Sequence, residues 1–431
     1  MALLLAVSSA VAATVAGGEG HRWNAPVAVA NEPSQPLVGV SDDGQAVLVW
    51  AQVLGPRSAE VRFSARPAGG SWSAPRPLAG IHGGELRLAV AGNGDAAVGS
   101  NDELTGLTRA STRPASGDWG TASSLGRYES KGLGGPLLGI DANRGVLAVV
   151  DRARGPEGFE RGRLFGIDGR VGGGWRAARP LTGARQNAQQ PDLAVNPRGD
   201  AAVAWTRGDR RGVRLAGIQV SLRQAGGRWT TPVTISRAGG TPKVGVDAHG
   251  APTVAWVQGR RRKLFLWSRS ADPSGHWERP QRVGPISDAV NGAVLGIDAT
   301  GDALACGSTA DPSPAGRRVG RLDVVCAQRR GGQPWGRSRQ VSPLGEYGAN
   351  PVLAMNASGD AIVAWIGSRA AISAAVYQPS MGFGPTRSIS PPRAMTPSVA
   401  IDAQGRALVA YQVPTTADTE GPSQLQVAAF E

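Results

Sequence analysis

The hydrophobic and polar positions of this chain repeat as a short unit: an apolar run, a polar turn, and a second apolar run. Residues 191–205, PDLAVNPRGDAAVAW, are the clearest copy. Leu193 to Val195 and Ala201 to Trp205 are its apolar runs, and Asn196-Pro197-Arg198-Gly199 lies between them. Asn opens a turn, Pro presets φ at the second position, and Gly permits a left-handed backbone at the fourth. The pattern predicts an antiparallel hairpin with a bulge. Seven more copies centre on residues 40–45, 90–95, 140–145, 246–251, 297–302, 355–360 and 401–406. The Gly is displaced only in the third copy, where Arg144 precedes Gly145. A period of about 50 residues indicates a propeller or a solenoid.

A second regularity identifies the first strand of each hairpin. Between its two large apolar residues stands Gly39, Ala89, Gly139, Ala194, Gly245, Gly296, Ala354 or Ala400. Side chains alternate faces along a strand, so one face is bulky and the other nearly bare. A strand crowded at a common axis needs that asymmetry, with the bulk of one blade filling the bare face of the next. A third strand follows each hairpin, then a Gly-rich turn. An aromatic residue opens the fourth strand: Trp23, Trp72, Trp119, Trp175, Trp229, Trp277, Trp335 or Phe383. The eighth hairpin is followed by QLQVAAFE and no fourth strand, whereas WNAPVAVA at Trp23 has no blade before it. Pairing these two segments closes a ring and removes both edges. The expected fold is therefore all-β: an eight-bladed β-propeller of four-stranded antiparallel blades, closed by the N-terminal strand. Seven blades with a docked extra hairpin is the alternative.

Composition adds to this. Gly (62 residues) and Pro (31) are abundant, and no long segment shows helical periodicity, as expected of a turn-rich β chain. Residues 1–16 are apolar, end in small residues and read as a signal peptide lacking its basic start; residues 17–431 are expected to form one propeller domain. The expected location is thus extracellular or in the cell envelope, with a monomeric mature chain. No later segment has the ~18 apolar residues of a membrane span. Cys306 and Cys326 fall on neighbouring antiparallel strands of the sixth blade, and a cross-strand disulfide is expected.

The turn before the outer strand resembles the Asp-box turn of sialidase/BNR-like propellers, Ser-x-Asp-x-Gly-x-Thr-Trp. Ser270, Asp272 and Trp277 match it; Gly275 is shifted by one position, and His276 replaces Thr. The resemblance implies the propeller fold and, as an alternative function, a sialidase-like glycoside hydrolase. The catalytic residues of that family are not recognisable. Tyr128–Glu129 and Glu346–Tyr347 are the adjacent Tyr/Glu pairs, in inter-blade loops, and Tyr411 takes a position held elsewhere by Trp. His21, His82, His249 and His276 have no metal-ligand spacing, and the turn carboxylates are better explained by capping; neither metal nor cofactor is expected.

Net charge is +13, nearly all from arginine; the lysines are Lys131, Lys243 and Lys263. The loops between second and third strands concentrate it: Arg57 in the first blade, Arg152, Arg154 and Arg161 in the third, and Arg207, Arg210 and Arg211 in the fourth. Arg260, Arg261, Arg262 and Lys263 follow in the fifth, Arg317, Arg318 and Arg321 in the sixth, and Arg369 in the seventh. The planar guanidinium suits carboxylate, sulfate and phosphate. The expectation is a non-catalytic binding module whose arginine arc meets an anionic glycan or an acidic protein surface. A solvated rim paired with Asp209, Asp311 and Glu160 is the other reading. Nucleic acid is not expected, because these loops lack stacking aromatics.

Overall fold

A computed structural model describes residues 21–431 apart from 56–57, 103–104, 128–134, 155–160, 185, 209–214, 261–262, 288–292, 311–321, 345 and 417–421. It contains eight antiparallel sheets, in each of which the strands follow one another in hydrogen-bonded order. Blade 1 is representative, with strands Pro33–Val40, Ala46–Gly55, Ser58–Arg66 and Arg76–His82 from the axis outward. Blade 8 takes three strands from the end of the chain, Met395–Ile401, Ala407–Pro414 and Ser423–Phe430, and its outer strand, Val27–Asn31, from the beginning. Val27 pairs with Val427 and Asn31 with Gln424, which closes the ring. Each inner strand packs on the next, and that of blade 8 on that of blade 1.

The bare strand face does what steric reasoning requires. A Cβ added to Gly39 would lie 2.4 Å from Val90 Cγ2, and one on Gly139 would lie 2.3 Å from Val195 Cγ2. On Gly245 it would meet Ile297 Cδ1 at 2.5 Å. The bulk of each following blade fills the gap left by the one before. The hydrophobic cores accordingly lie between blades, as in the clusters joining blades 8 and 1, 1 and 2, or 4 and 5. Trp50, Trp205, Trp256, Trp365 and Tyr411 are fully buried at matching positions of second strands. Burying such a side chain contributes on the order of 2–3 kcal/mol.

The Gly turns cap themselves. Asp141, Asn196, Asp247, Asp298, Asn356 and Asp402 each accept, through Oδ1, the N–H groups two and four residues on. Where Ala91 cannot, Asn93 accepts the Asp95 N–H instead. Adjacent turns are also joined right round the axis. Asp42 N–H donates to Gly92 O (2.8 Å), Ala142 N–H to Pro197 O (2.8 Å), and Asn196 Nδ2 to Asp247 O (2.8 Å). Ala248 N–H donates to Ala299 O (3.2 Å), Ala299 N–H to Ala357 O (3.1 Å), Asn356 Nδ2 to Asp402 O (2.8 Å) and Arg406 Nη2 to Asp43 O (3.0 Å). The remaining junction, blade 2 to blade 3, is spanned by Arg144 Nε at 3.5 Å from Asp95 Oδ2. The displaced Gly of the third copy thus places at φ 68 the arginine that spans this junction.

Two local features differ from the sequence expectation. The aromatic residues lie before their outer strands; Trp72, for example, precedes Arg76–His82 by four positions. Inner-strand bulges occur at the opposite end from the Gly turns, where Gln35, Gln190, Thr241, Asn350 and Thr396 all have φ of 47–52° and all precede a proline. The proline disfavours the right-handed helical region for the residue before it. The bulge turns Gln35 and Gln190 sideways, so that their Oε1 atoms accept the N–H groups of Leu86 and Thr241 in the next blades. Cys306 and Cys326, directly opposite in blade 6, are disulfide-bonded at a Cα separation of 4.1 Å.

Candidate functional site

Strand order puts the second-to-third-strand loops and the inter-blade connections at one mouth of the ring, and the Gly turns at the other. On the first mouth, Arg152 and Arg207 are exposed near the ends of second strands Gly145–Arg154 and Ala201–Gly208. Lys263, exposed, opens the third strand of blade 5, and Arg369 is exposed in the short connection of blade 7. None of these four makes an ion pair among the described residues. Arg154 and Arg260 end second strands, and Arg161 opens a third strand; their side chains lie outside the described residues. Arg57, Arg210, Arg211, Arg261, Arg262, Arg317, Arg318 and Arg321 also lie outside them, as do Asp209, Asp311 and Glu160. The described cations therefore fall on blades 3, 4, 5 and 7.

The environment of Arg207 carries information that the sequence alone did not. In blades 1 and 5 the indole N–H of the buried Trp is satisfied by a Gln two residues on: Trp50 Nε1 to Gln52 Oε1 at 3.3 Å and Trp256 Nε1 to Gln258 Oε1 at 3.0 Å. In blade 4 that position is Arg207, and Trp205 Nε1 is buried without a partner among the described residues. An unmade buried hydrogen bond costs about 1–3 kcal/mol. The same rim holds a buried carboxyl. Asp151, beside Arg152, is buried, and its Oδ1 has no partner among the described residues. Burial raises it to about 7, against the smaller downward pull of the Arg163 and Arg152 N–H groups.

A second concavity lies on the flank, at the seam between blades 7 and 8, with a volume of about 1140 Å³. In blades 1, 2, 4 and 6 the third strand presents an arginine opposite the start of the second strand: Arg66 opposite Ala46, Arg113 opposite Ala96, Arg223 opposite Ala201 and Arg329 opposite Ala303. Three of these lie over the aromatic of their own blade, Arg66 on Trp72 (5.8 Å), Arg223 on Trp229 (6.0 Å) and Arg329 on Trp335 (5.8 Å). In blades 7 and 8 the position holds Tyr377 and Phe430. Tyr377 packs on Phe383 with centroids 5.1 Å apart, and Phe430 on Trp23 at 5.4 Å and His21 at 5.7 Å. The cleft is lined by Trp23, Phe383 and Phe430 with Met381, Arg22, Arg387 and amide and hydroxyl groups, and among the described residues by no Asp or Glu.

Among the described residues, the hydrolase cues find no common site. Tyr411 is buried, its hydroxyl donating to Ile389 O at 2.8 Å, and burial pushes its pKa up. Tyr128 and Glu129 lie outside the described residues, and Tyr347 is in the connection between blades 6 and 7. The Asp-box-like turn is a capping device. Asp272 Oδ1 accepts from the N–H groups of Ser274 and His276, and the Ser274 hydroxyl hydrogen bond is the largest cause lowering its pKa to about 2. Among the described residues, no three His, Cys, Asp or Glu side chains are placed to hold a metal, and no helix is long and apolar enough to cross a membrane.

These features define an eight-bladed β-propeller. The BP39L lectin from Burkholderia pseudomallei is similar in structure, with a TM-score of 0.55 at 13% identity over 83% of this chain and 99% of the lectin. A PL25 ulvan lyase matches at a TM-score of 0.49 and 11% identity over 80% and 93% of the two chains. The Hadza microbial sialidase Hz136 matches at 0.42 and 12% over 75% and 74%. At these identities the likeness is one of fold. No family model and no curated protein matches the chain.

Proposed function

We propose that the protein is a secreted, non-catalytic carbohydrate-binding propeller whose cationic mouth holds an anionic glycan, such as an acidic cell-envelope polysaccharide. The observation that carries this reading is Arg207. It is exposed on the rim in the place of the glutamine that satisfies the buried indole in blades 1 and 5, and it cannot accept that indole's hydrogen bond. Rules of local stability are broken most often where a residue serves binding. Arg152, Lys263 and Arg369, equally exposed and without ion pairs among the described residues, extend the positive rim over neighbouring blades. Guanidinium groups on a curved face fit the repeated carboxylates or sulfates of an acidic polymer.

The test is titration with polygalacturonate across a salt series. Affinity should fall as salt rises, because exposed charges are screened. The triple variant Arg152→Ser, Arg207→Ser, Lys263→Ser should bind at least tenfold more weakly. Undiminished affinity in that variant removes the mouth as the site. Binding of an acidic protein but no polysaccharide replaces the glycan with a protein partner.

A further inference from the structure

We infer that the seam between blades 7 and 8 is a second, separate binding site that takes a short acidic saccharide, one sugar ring on its aromatic wall and the carboxylate or sulfate on Arg22 and Arg387. The inference shares the carbohydrate reading but uses none of the mouth residues. It stands on a break in the repeat. In blades 1, 4 and 6 a guanidinium lies over the outer aromatic, whereas Tyr377 and Phe430 hold that position beside the seam. Beside these residues lies a cleft of about 1140 Å³, slightly above the ~300–1,000 Å³ usual for small-ligand sites. Room therefore remains for more than one ring.

The lining selects the ligand. Trp23 and Phe383 are half-buried, and Met381 is 77% exposed, so the wall offers apolar surface that a ring face can cover. Arg22 and Arg387 are exposed, with no ion pair among the described residues, and no carboxylate among the described residues lines the cleft. A ligand that satisfies both features is a ring with an apolar face and an anionic substituent. The polar surround of Asn24, Gln378 and Ser388 suits a ring that also carries hydroxyl groups, as a hexuronate does.

The test is calorimetric titration of the full chain with digalacturonate, with maltose and benzoate as controls. One digalacturonate should bind the seam in the mouth triple variant with wild-type affinity. The variant Arg22→Ser, Arg387→Ser should lose at least tenfold, and Arg387→Lys should lose less than Arg387→Ser. Both arginines are exposed, so these variants leave the packing untouched. Equal binding of digalacturonate by the double variant and the wild type overturns the site. Equal affinity for maltose removes the anionic requirement, and equal affinity for benzoate removes the sugar. If the mouth triple variant loses polygalacturonate but keeps digalacturonate, both proposals stand; loss of digalacturonate with the mouth charges refutes the seam alone.

Discussion

Trp23 and Phe430 stand 407 positions apart in the chain, yet they share an antiparallel bridge, and their rings pack with centroids 5.4 Å apart. The contact lies at the joint between the first described segment and the last strand of the ring. Replacing Trp23 by Ala removes a half-buried aromatic, and a loss of about 2 kcal/mol is expected. Urea denaturation read by tryptophan fluorescence checks it.

The packing of Gly245 against Ile297 makes a sharper test of the blade interface. A Cβ on Gly245 meets Ile297 Cδ1 at 2.5 Å, so Gly245→Ala should destabilise by about 1–3 kcal/mol. Ile297→Ala makes room, and the double mutant should recover at least half of the added penalty. A double-mutant cycle reads that coupling. Additive effects would mean that the two residues do not oppose each other.

Asp151 gives the protein a pH dependence of known sign. Its native carboxyl keeps a proton up to about pH 7, whereas the unfolded one releases it near 3.8. Between those values the unfolded state binds fewer protons, so stability falls as pH rises. Asp151→Asn should flatten the slope between about pH 4 and 7 and, at pH 8, exceed the wild type by on the order of 2 kcal/mol. Thermal denaturation across that range measures both.

Arg207→Gln separates stability from binding. The new amide can accept the Trp205 indole N–H, as Gln258 does for Trp256, and should add about 1 kcal/mol. The same change should weaken polygalacturonate binding. A variant that is both more stable and equally active would leave Arg207 without a role.

The ring was legible because its two strongest constraints are local. Turn chemistry marks each hairpin, and Gly or Ala between large residues marks the strand at the axis, so the eight blades and their closure follow from positions such as Gly39 and Trp23. The bulges at Gln35, Gln190, Thr241, Asn350 and Thr396 are not legible in the sequence, although the prolines after them are plain. An X-Pro pair ordinarily signals extended backbone, and only the register shows the left-handed residue. The arginine arc was drawn from loop composition, and the structure describes the side chains of Arg152, Arg207, Lys263 and Arg369 but not those between them. The seam cleft is hidden in the sequence for a different reason. Arg66, Arg223 and Arg329 correspond to Tyr377 and Phe430 only once third strands are aligned by their partners. That alignment is partly available from the repeat, since Arg66, Arg223, Arg329 and Tyr377 each lie just before a Gly-rich turn.

The measurement that tests the closed ring most directly is a covalent one. Ala28 and Gln426 face each other across the joint between the first and last strands. With Ala28→Cys and Gln426→Cys introduced, mild oxidation should join the ends of the native chain within one molecule, giving a faster-migrating circular form on a denaturing, non-reducing gel and a raised melting temperature. A linear chain, or cross-linking only between molecules, would show that the two ends do not share a sheet.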